Sequence, residues 1–129
     1  MSTIPDLEAY RFYEREWTEY DDLLDSFEWE VPERFNMASY ICDRWCEDGD
    51  RTALVADDGD GNGETYSFER LRQEADATAA FLRHRGVPRG DRVGINARQR
   101  PETVVAHVAC WQLGAVSAPL STLLATDAL

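Results

Sequence analysis

The chain has 129 residues, enough for one domain with a real core, and a formal net charge of −12 from 25 acidic and 13 basic side chains. All 13 basic residues are Arg, the acids are scattered along the whole length, and such a surface repels nucleic acid and anionic membranes. No apolar run approaches membrane-spanning length, and the acidic, aromatic start MSTIPDLEAYRFYEREW has neither the basic flank nor the apolar stretch of a secretory signal. A cytoplasmic protein adapted to high salt is the expectation, because salt screens the self-repulsion of a dispersed acidic excess.

Taken in chain order, residues from Asp6 to Phe27 carry Leu7, Tyr10, Tyr13 and Trp17 on one helical face and Tyr20, Leu23, Leu24 and Phe27 on another. They read as an N-terminal helical arm over residues 1–34, its aromatic stripe docking it onto the main body. Trp29, Val31 and Pro32 form an extended link. Asn36 is a good N-cap, and Met37, Tyr40, Ile41, Arg44 and Trp45 form the inward side of a helix ending near Asp48-Gly49. Cys42 and Cys46 lie four apart on it and read as small buried hydrophobes. With Cys110 they do not have the spacing of a zinc site or a disulfide framework, and no metal site is expected.

Thr52–Ala56 and Glu64–Ser67 read as two antiparallel strands joined by the turn Asp57-Asp58-Gly59-Asp60-Gly61-Asn62-Gly63. Its glycines resemble a phosphate loop, yet three aspartates repel phosphate and no helix N-terminus directly follows. The Asp spacing also hints at calcium, but lacks the bidentate Glu such a loop requires. A solvated hairpin tip is expected. Ser67 caps the next helix, which steps through Phe68, Leu71, Ala75, Thr78, Ala79 and Leu82 and ends at Gly86 with Arg83, His84 and Arg85 in its last turn.

After the turn Val87–Asp91, the segment Arg92–Asn96 reads as a buried strand. Pro101 suits a helix start, Val104, Val105, Val108 and Trp111 fall at helical spacing, and Gly114 is a natural stop. Ala115–Leu120 is a second strand, which completes the βαβ unit of a parallel sheet. His84 and His107 are expected to be structural. Thr126 reads as the N-cap of one more helix. The fold class is therefore α/β: a helical arm, a β-hairpin and a parallel βαβ unit.

Gly90-Asp91-Arg92-Val93, Arg100-Pro101-Glu102 and Gly114-Ala115-Val116-Ser117-Ala118-Pro119-Leu120 together resemble the early N-terminal domain of AMP-forming acyl-CoA synthetases. Thr65–Leu71 is similar to the segment those enzymes place before it, and Phe35-Asn36-Met37-Ala38 with Asp43-Arg44-Trp45 resembles the acetyl- and medium-chain branch. The resemblance covers roughly Phe35 to Leu129 and makes residues 35–129 the incomplete start of the large N-terminal domain of an adenylate-forming enzyme.

It implies ATP, Mg²⁺ and CoA as cofactors and a carboxylic acid as substrate, through an acyl-adenylate and then a thioester. The family's Ser/Thr/Gly-rich triphosphate loop lies downstream of the matched region and its catalytic lysine in a separate C-terminal domain. This chain has no lysine at all, so no catalytic residue carries over and the chain by itself is expected to be an inactive fragment. The missing remainder of the synthetase is then its expected partner. Ser121 and Thr122, at the carboxyl end of the last strand, are the candidate binding residues, because ligands of open α/β sheets gather there. Arg98 and Arg100 lie beside a helix N-terminus that would attract an anion, although on so acidic a protein solvated arginines are the commoner case. Two alternatives stay open: a stand-alone binding or regulatory module on the same scaffold, or the start of another adenylate-forming enzyme, such as an aryl-CoA ligase, a luciferase-like enzyme or a peptide-synthetase adenylation domain.

Overall fold

The computed structural model describes residues 4–123, and the helix start expected at Thr126 lies outside them. The chain divides into two compact units, Met1–Phe35 and Asn36–Leu129.

The described part of the first unit carries less α-helix than the spacing of the arm suggests. Two single 3₁₀ turns, Glu8–Tyr10 and Phe12–Glu14, precede one α-helix, α1, at Tyr20–Ser26. The aromatic side chains pack on one another: Phe27 meets Trp29 edge-on at 5.1 Å and Tyr10 at 6.1 Å. The Tyr10 hydroxyl donates to the Glu30 carbonyl at 2.7 Å, and the Trp17 indole N–H donates to the Phe12 carbonyl at 2.7 Å. An unbroken helix would hold Tyr10 and Trp29 far apart, so closing this cluster favours a bent chain. The abundance of like charges along the segment weakens a helix further.

Three α-helices and two small sheets make up the described part of the second unit. α2 (Met37–Ile41) starts where the Asn36 side chain accepts hydrogen bonds from the Ala38 and Ser39 amides, at 2.9 and 3.3 Å. Such a cap is worth about 1 kcal/mol. Instead of continuing to Gly49 as one helix, the chain tightens into a 3₁₀ segment, Asp43–Asp48. The inward face is also displaced from expectation. Met37 and Ile41 are exposed while Ala38 and Cys42 are completely buried. The cap fixes the first turn, and small side chains let the backbone lie close to its neighbours.

β1 (Thr52–Ala56) pairs antiparallel with β2 (Glu64–Ser67), with an irregularity between Thr52 and Leu54. α3 (Phe68–His84) follows at once, Ser67 Oγ accepting from the Arg70 amide at 3.1 Å. At its end the Val87 amide reaches the Leu82 carbonyl and the Gly86 amide the Arg83 carbonyl, the paired bonds of a Schellman motif, with Gly86 at a φ of 88°. β3 (Arg92–Ile95) and β4 (Val116–Pro119) run parallel in register, joined through α4 (Pro101–Leu113). Gly114 closes α4 with the same motif at a φ of 69°, sending the chain back into β4.

The core lies between α3 and α4. Leu71, Ala75 and Ala79 of α3 pack with Val105, Val108 and Ala109 of α4 and with Ala38 and Cys42. Ile95, Cys110 and Ala115 form a second cluster under the parallel strands. Val108, Cys42 and Cys110 are the largest side chains fully shut away from solvent, so small residues build this core. No helix among the described residues is long and apolar enough to cross a membrane.

Candidate functional site

Because β3 and β4 are parallel, their carboxyl ends lie at one end of the sheet, and the βαβ topology gathers the candidate residues there. After β3 comes the loop carrying Arg98 and Arg100, both exposed, and then the N-terminus of α4. The Thr103 hydroxyl donates to the Arg98 carbonyl at 2.7 Å and pins this loop to the first helical turn. The Arg100 guanidinium donates to the Glu102 carboxylate at 3.1 Å. After β4 come Ser121 and Thr122, exposed, with Ser121 Oγ accepting from the Leu123 amide at 3.2 Å. Chemically this end offers hydroxyls, an arginine outside the Arg100–Glu102 pair and helix amides, a combination suited to weak anion contacts.

The glycine-rich hairpin turn was the other place to look for phosphate binding. Here Asp57 accepts from the Gly59 amide at 2.8 Å, and Asp58 accepts from the amides of Asp60 and Asn62 at 2.9 and 3.2 Å. The amides a phosphate would need are bonded to the loop's own carboxylates. Those bonds, the one from Asp60 foremost, also hold the Asp58 carboxyl below its usual range, so the loop stays anionic. The loop does not fit the triphosphate of ATP, and it is a solvated tip.

A second concavity was not foreseen. A cleft of about 390 Å³ opens among α2, α3 and α4, lined by Asn36, Ser39, Asp43, Asp76, Arg83 and Gln112. Gln112 donates to Asp76 at 2.8 Å, and Asn36 donates to the Trp111 carbonyl at 3.2 Å, so these groups also tie the helices together. Sequence reading missed it because its residues come from three segments far apart in the chain, with no local pattern to join them.

His84 is exposed at the end of α3. His107 Nδ1 lies 2.9 Å from Ser117 Oγ, and its ring lies against Trp111 at 5.6 Å, which fixes α4 to β4. Cys42 and Cys110 are buried and Cys46 half-buried, all three as free thiols. Burial pushes the Cys42 thiol up to about 12 and raises Cys46 and Cys110 as well, so none is a ready nucleophile. A raised thiol favours the neutral, folded form fully below its unfolded value near 9, and that contribution is lost as pH climbs toward about 12. At pH 8 a thiol reagent is expected to label Cys46 first, with Cys42 and Cys110 reacting only on unfolding. Equal labelling rates for all three would contradict this packing.

A profile of the family described as AMP-binding enzyme matches residues 42–129, about two thirds of the chain. The chain belongs to that family. An acetyl-coenzyme A synthetase of Methylorubrum populi is 36% identical over 95 residues, which are 72% of this chain and 15% of that enzyme. A mitochondrial acyl-coenzyme A synthetase of Rattus norvegicus is 33% identical over 115 residues, 84% of this chain and 20% of that enzyme. Among solved structures, an acyl-CoA synthetase of Brucella canis superimposes with a TM-score of 0.75 at 28% identity, covering 84% of this chain and 22% of that one. The chain thus spans about a fifth or less of the curated relatives it matches. The acyl-CoA synthetase resemblance and the partial α/β domain both hold for this family member.

Proposed function

We propose that this chain is the N-terminal part of an ATP-dependent, AMP-forming carboxylic acid–CoA ligase of a salt-adapted cytoplasm, and that these 129 residues alone are inactive. The observation that carries this reading is the match of residues 42–129 to AMP-binding enzymes combined with the small share of each relative that the chain spans. In such a ligase a carboxylate is first joined to AMP with release of pyrophosphate, and CoA thiol then displaces AMP. A cation must meet the developing negative charge at the phosphate, and this chain has no lysine for that role. Its glycine-rich loop is self-bonded, as described above. What the chain supplies is scaffold, together with Arg98, Ser121 and Thr122 at the carboxyl end of β3 and β4, where a part of CoA or of the substrate would pass.

The test compares two proteins in ATP–pyrophosphate exchange with acetate, propionate and octanoate. One is the 129-residue chain; the other is the chain joined to the polypeptide encoded directly after its Leu129 codon. No exchange is expected from the first and acid-dependent exchange from the second. Exchange by the 129 residues alone overturns the assignment of the chemistry elsewhere. A following sequence unrelated to AMP-binding enzymes overturns the ligase reading and leaves a stand-alone binding module in its place.

A further inference from the structure

The polar cleft of about 390 Å³ among α2, α3 and α4 lies wholly within the Asn36–Leu129 unit. It is remote from the carboxyl end of β3 and β4, because Gln112 stands about 16 Å along α4 from Pro101 at the rise of an α-helix. Ala79 and Ala80 line it too, and their small side chains leave space that larger residues would fill.

Hydrogen-bond accounting singles this cleft out. Among the described residues three buried side-chain atoms have no partner: Asp43 Oδ1, Gln112 Oε1 and Arg72 Nε. The first two belong to residues lining the cleft, and both are acceptors. Native proteins leave few such atoms unpaired. The residues around them have no donor to spare. Gln112 Nε2 donates to Asp76 Oδ1 at 2.8 Å, which fixes the amide, since turning it would set its oxygen against a carboxylate. Asn36 is fully engaged, its Oδ1 with the Ala38 and Ser39 amides and its Nδ2 with the Trp111 carbonyl. Arg83, the one cation among the described lining residues, stands seven residues beyond Asp76 on the same face of α3. That separation is about 10 Å, so the cleft has an acidic end and a basic end.

We propose that this cleft binds a small cationic amino acid, its guanidinium or ammonium end on Asp43, Asp76 and Gln112 and its carboxylate on Arg83. Two carboxylates and one guanidinium give the lining a charge of −1, which a ligand of charge +1 with two cationic groups and one carboxylate balances. A planar guanidinium carries five N–H donors in a fixed fork and meets a carboxylate and an amide oxygen together. The Asp43 carboxylate turns about its Cβ–Cγ bond, a soft torsion, to bring its shielded oxygen to the entering group. Bonds made there are protected from competing water. The site goes beyond the ligase reading and does not rest on it, since all its residues lie in this chain.

Isothermal titration calorimetry of the whole 129-residue chain in about 0.5 M KCl tests this with two probes. One is L-arginine; the other is agmatine, which keeps both cationic groups without the carboxylate. Wild type is expected to bind one L-arginine with a Kd below about 1 mM, and agmatine about tenfold more weakly. Asp43→Asn is expected to weaken both by about tenfold or more, whereas Arg83→Gln brings L-arginine down to the level of agmatine. Asp25→Asn, the same charge change in the Met1–Phe35 unit, alters neither. Arg83 and Asp25 are exposed, so both variants keep the wild-type urea midpoint; should Asp43→Asn lose its transition, Arg83→Gln decides the question. Absence of saturable L-arginine binding by wild type overturns the proposal. So does equal weakening by Asp43→Asn and Asp25→Asn, which reports only the overall charge of −12. Equal affinity for the two probes, or an Arg83→Gln protein that still prefers L-arginine, overturns it as well.

Discussion

Val108→Asp is expected to abolish cooperative folding of the Asn36–Leu129 unit, whereas Val108→Ala only lowers its stability. Val108 has no exposed surface and stands on α4 among Leu71, Ala75, Ala79, Val105 and Ala109, where no buried polar or charged residue is found among the described residues. A carboxylate there loses its hydration and gains no cation, a penalty of several kcal/mol even after it shifts its pKa and takes up a proton. The lost apolar burial adds about 1.5–3 kcal/mol. A unit of this length has about 5–14 kcal/mol in all at the usual stability per residue, and one with two-stranded sheets sits near the low end. Removing two methyl groups in Val108→Ala costs about 2 kcal/mol, since the small neighbours collapse only partly into the space. Far-UV circular dichroism against urea distinguishes the two outcomes. A cooperative transition for Val108→Asp at the wild-type midpoint would mean that the α3–α4 interface is not the core.

That interface was readable in the sequence because its signals are local. Ser67 as a cap, Gly86 and Gly114 as C-terminal stops and Pro101 at a helix start each act within one turn of chain. α3 and α4 therefore begin and end where those residues put them. The hairpin was readable for the same reason, its turn being held by Asp57 and Asp58 bonding amides two to four residues ahead.

What escaped reading depends on distant partners. In the arm, spacing gave two helical faces within Asp6–Phe27, but Tyr10, Phe27 and Trp29 pack on one another instead of along a helical stripe. In α2 the periodicity was right and its phase was off by one residue. Ala38 is buried beside Cys42, which already read as a small buried hydrophobe, because close approach to α3 and α4 selects small side chains over Met37 and Ile41. The carboxyl end bearing Ser121 and Thr122 followed from the βαβ order alone. The polar cleft needed Asp43, Asp76 and Gln112 brought together by helix packing, which no window of sequence contains.

Raising KCl from 0.05 to 2 M is expected to increase the thermal midpoint by at least about 10 °C. Two electrostatic effects oppose each other. Salt weakens the favourable pairs: Arg70 with Glu64 at 2.6 Å and Glu74 at 2.9 Å, Arg72 with Glu69 at 2.9 Å, Arg100 with Glu102 at 3.1 Å, and Arg11 with Asp6. All of these are substantially solvated, so each is worth at most about 1 kcal/mol and many are worth nothing. Salt also screens the repulsion among a net −12, which folding brings closer together than it is in an unfolded chain. The repulsion wins, because it grows with the square of the net charge while the pairs only add. Comparing KCl with NaBr and sodium sulfate separates the causes. Screening raises the midpoint in all three salts, whereas stabilisation confined to sulfate reports exclusion of that ion from apolar surface. A midpoint that falls with KCl would show that the Arg–carboxylate pairs dominate, and the salt-adapted reading of this acidic chain would fail.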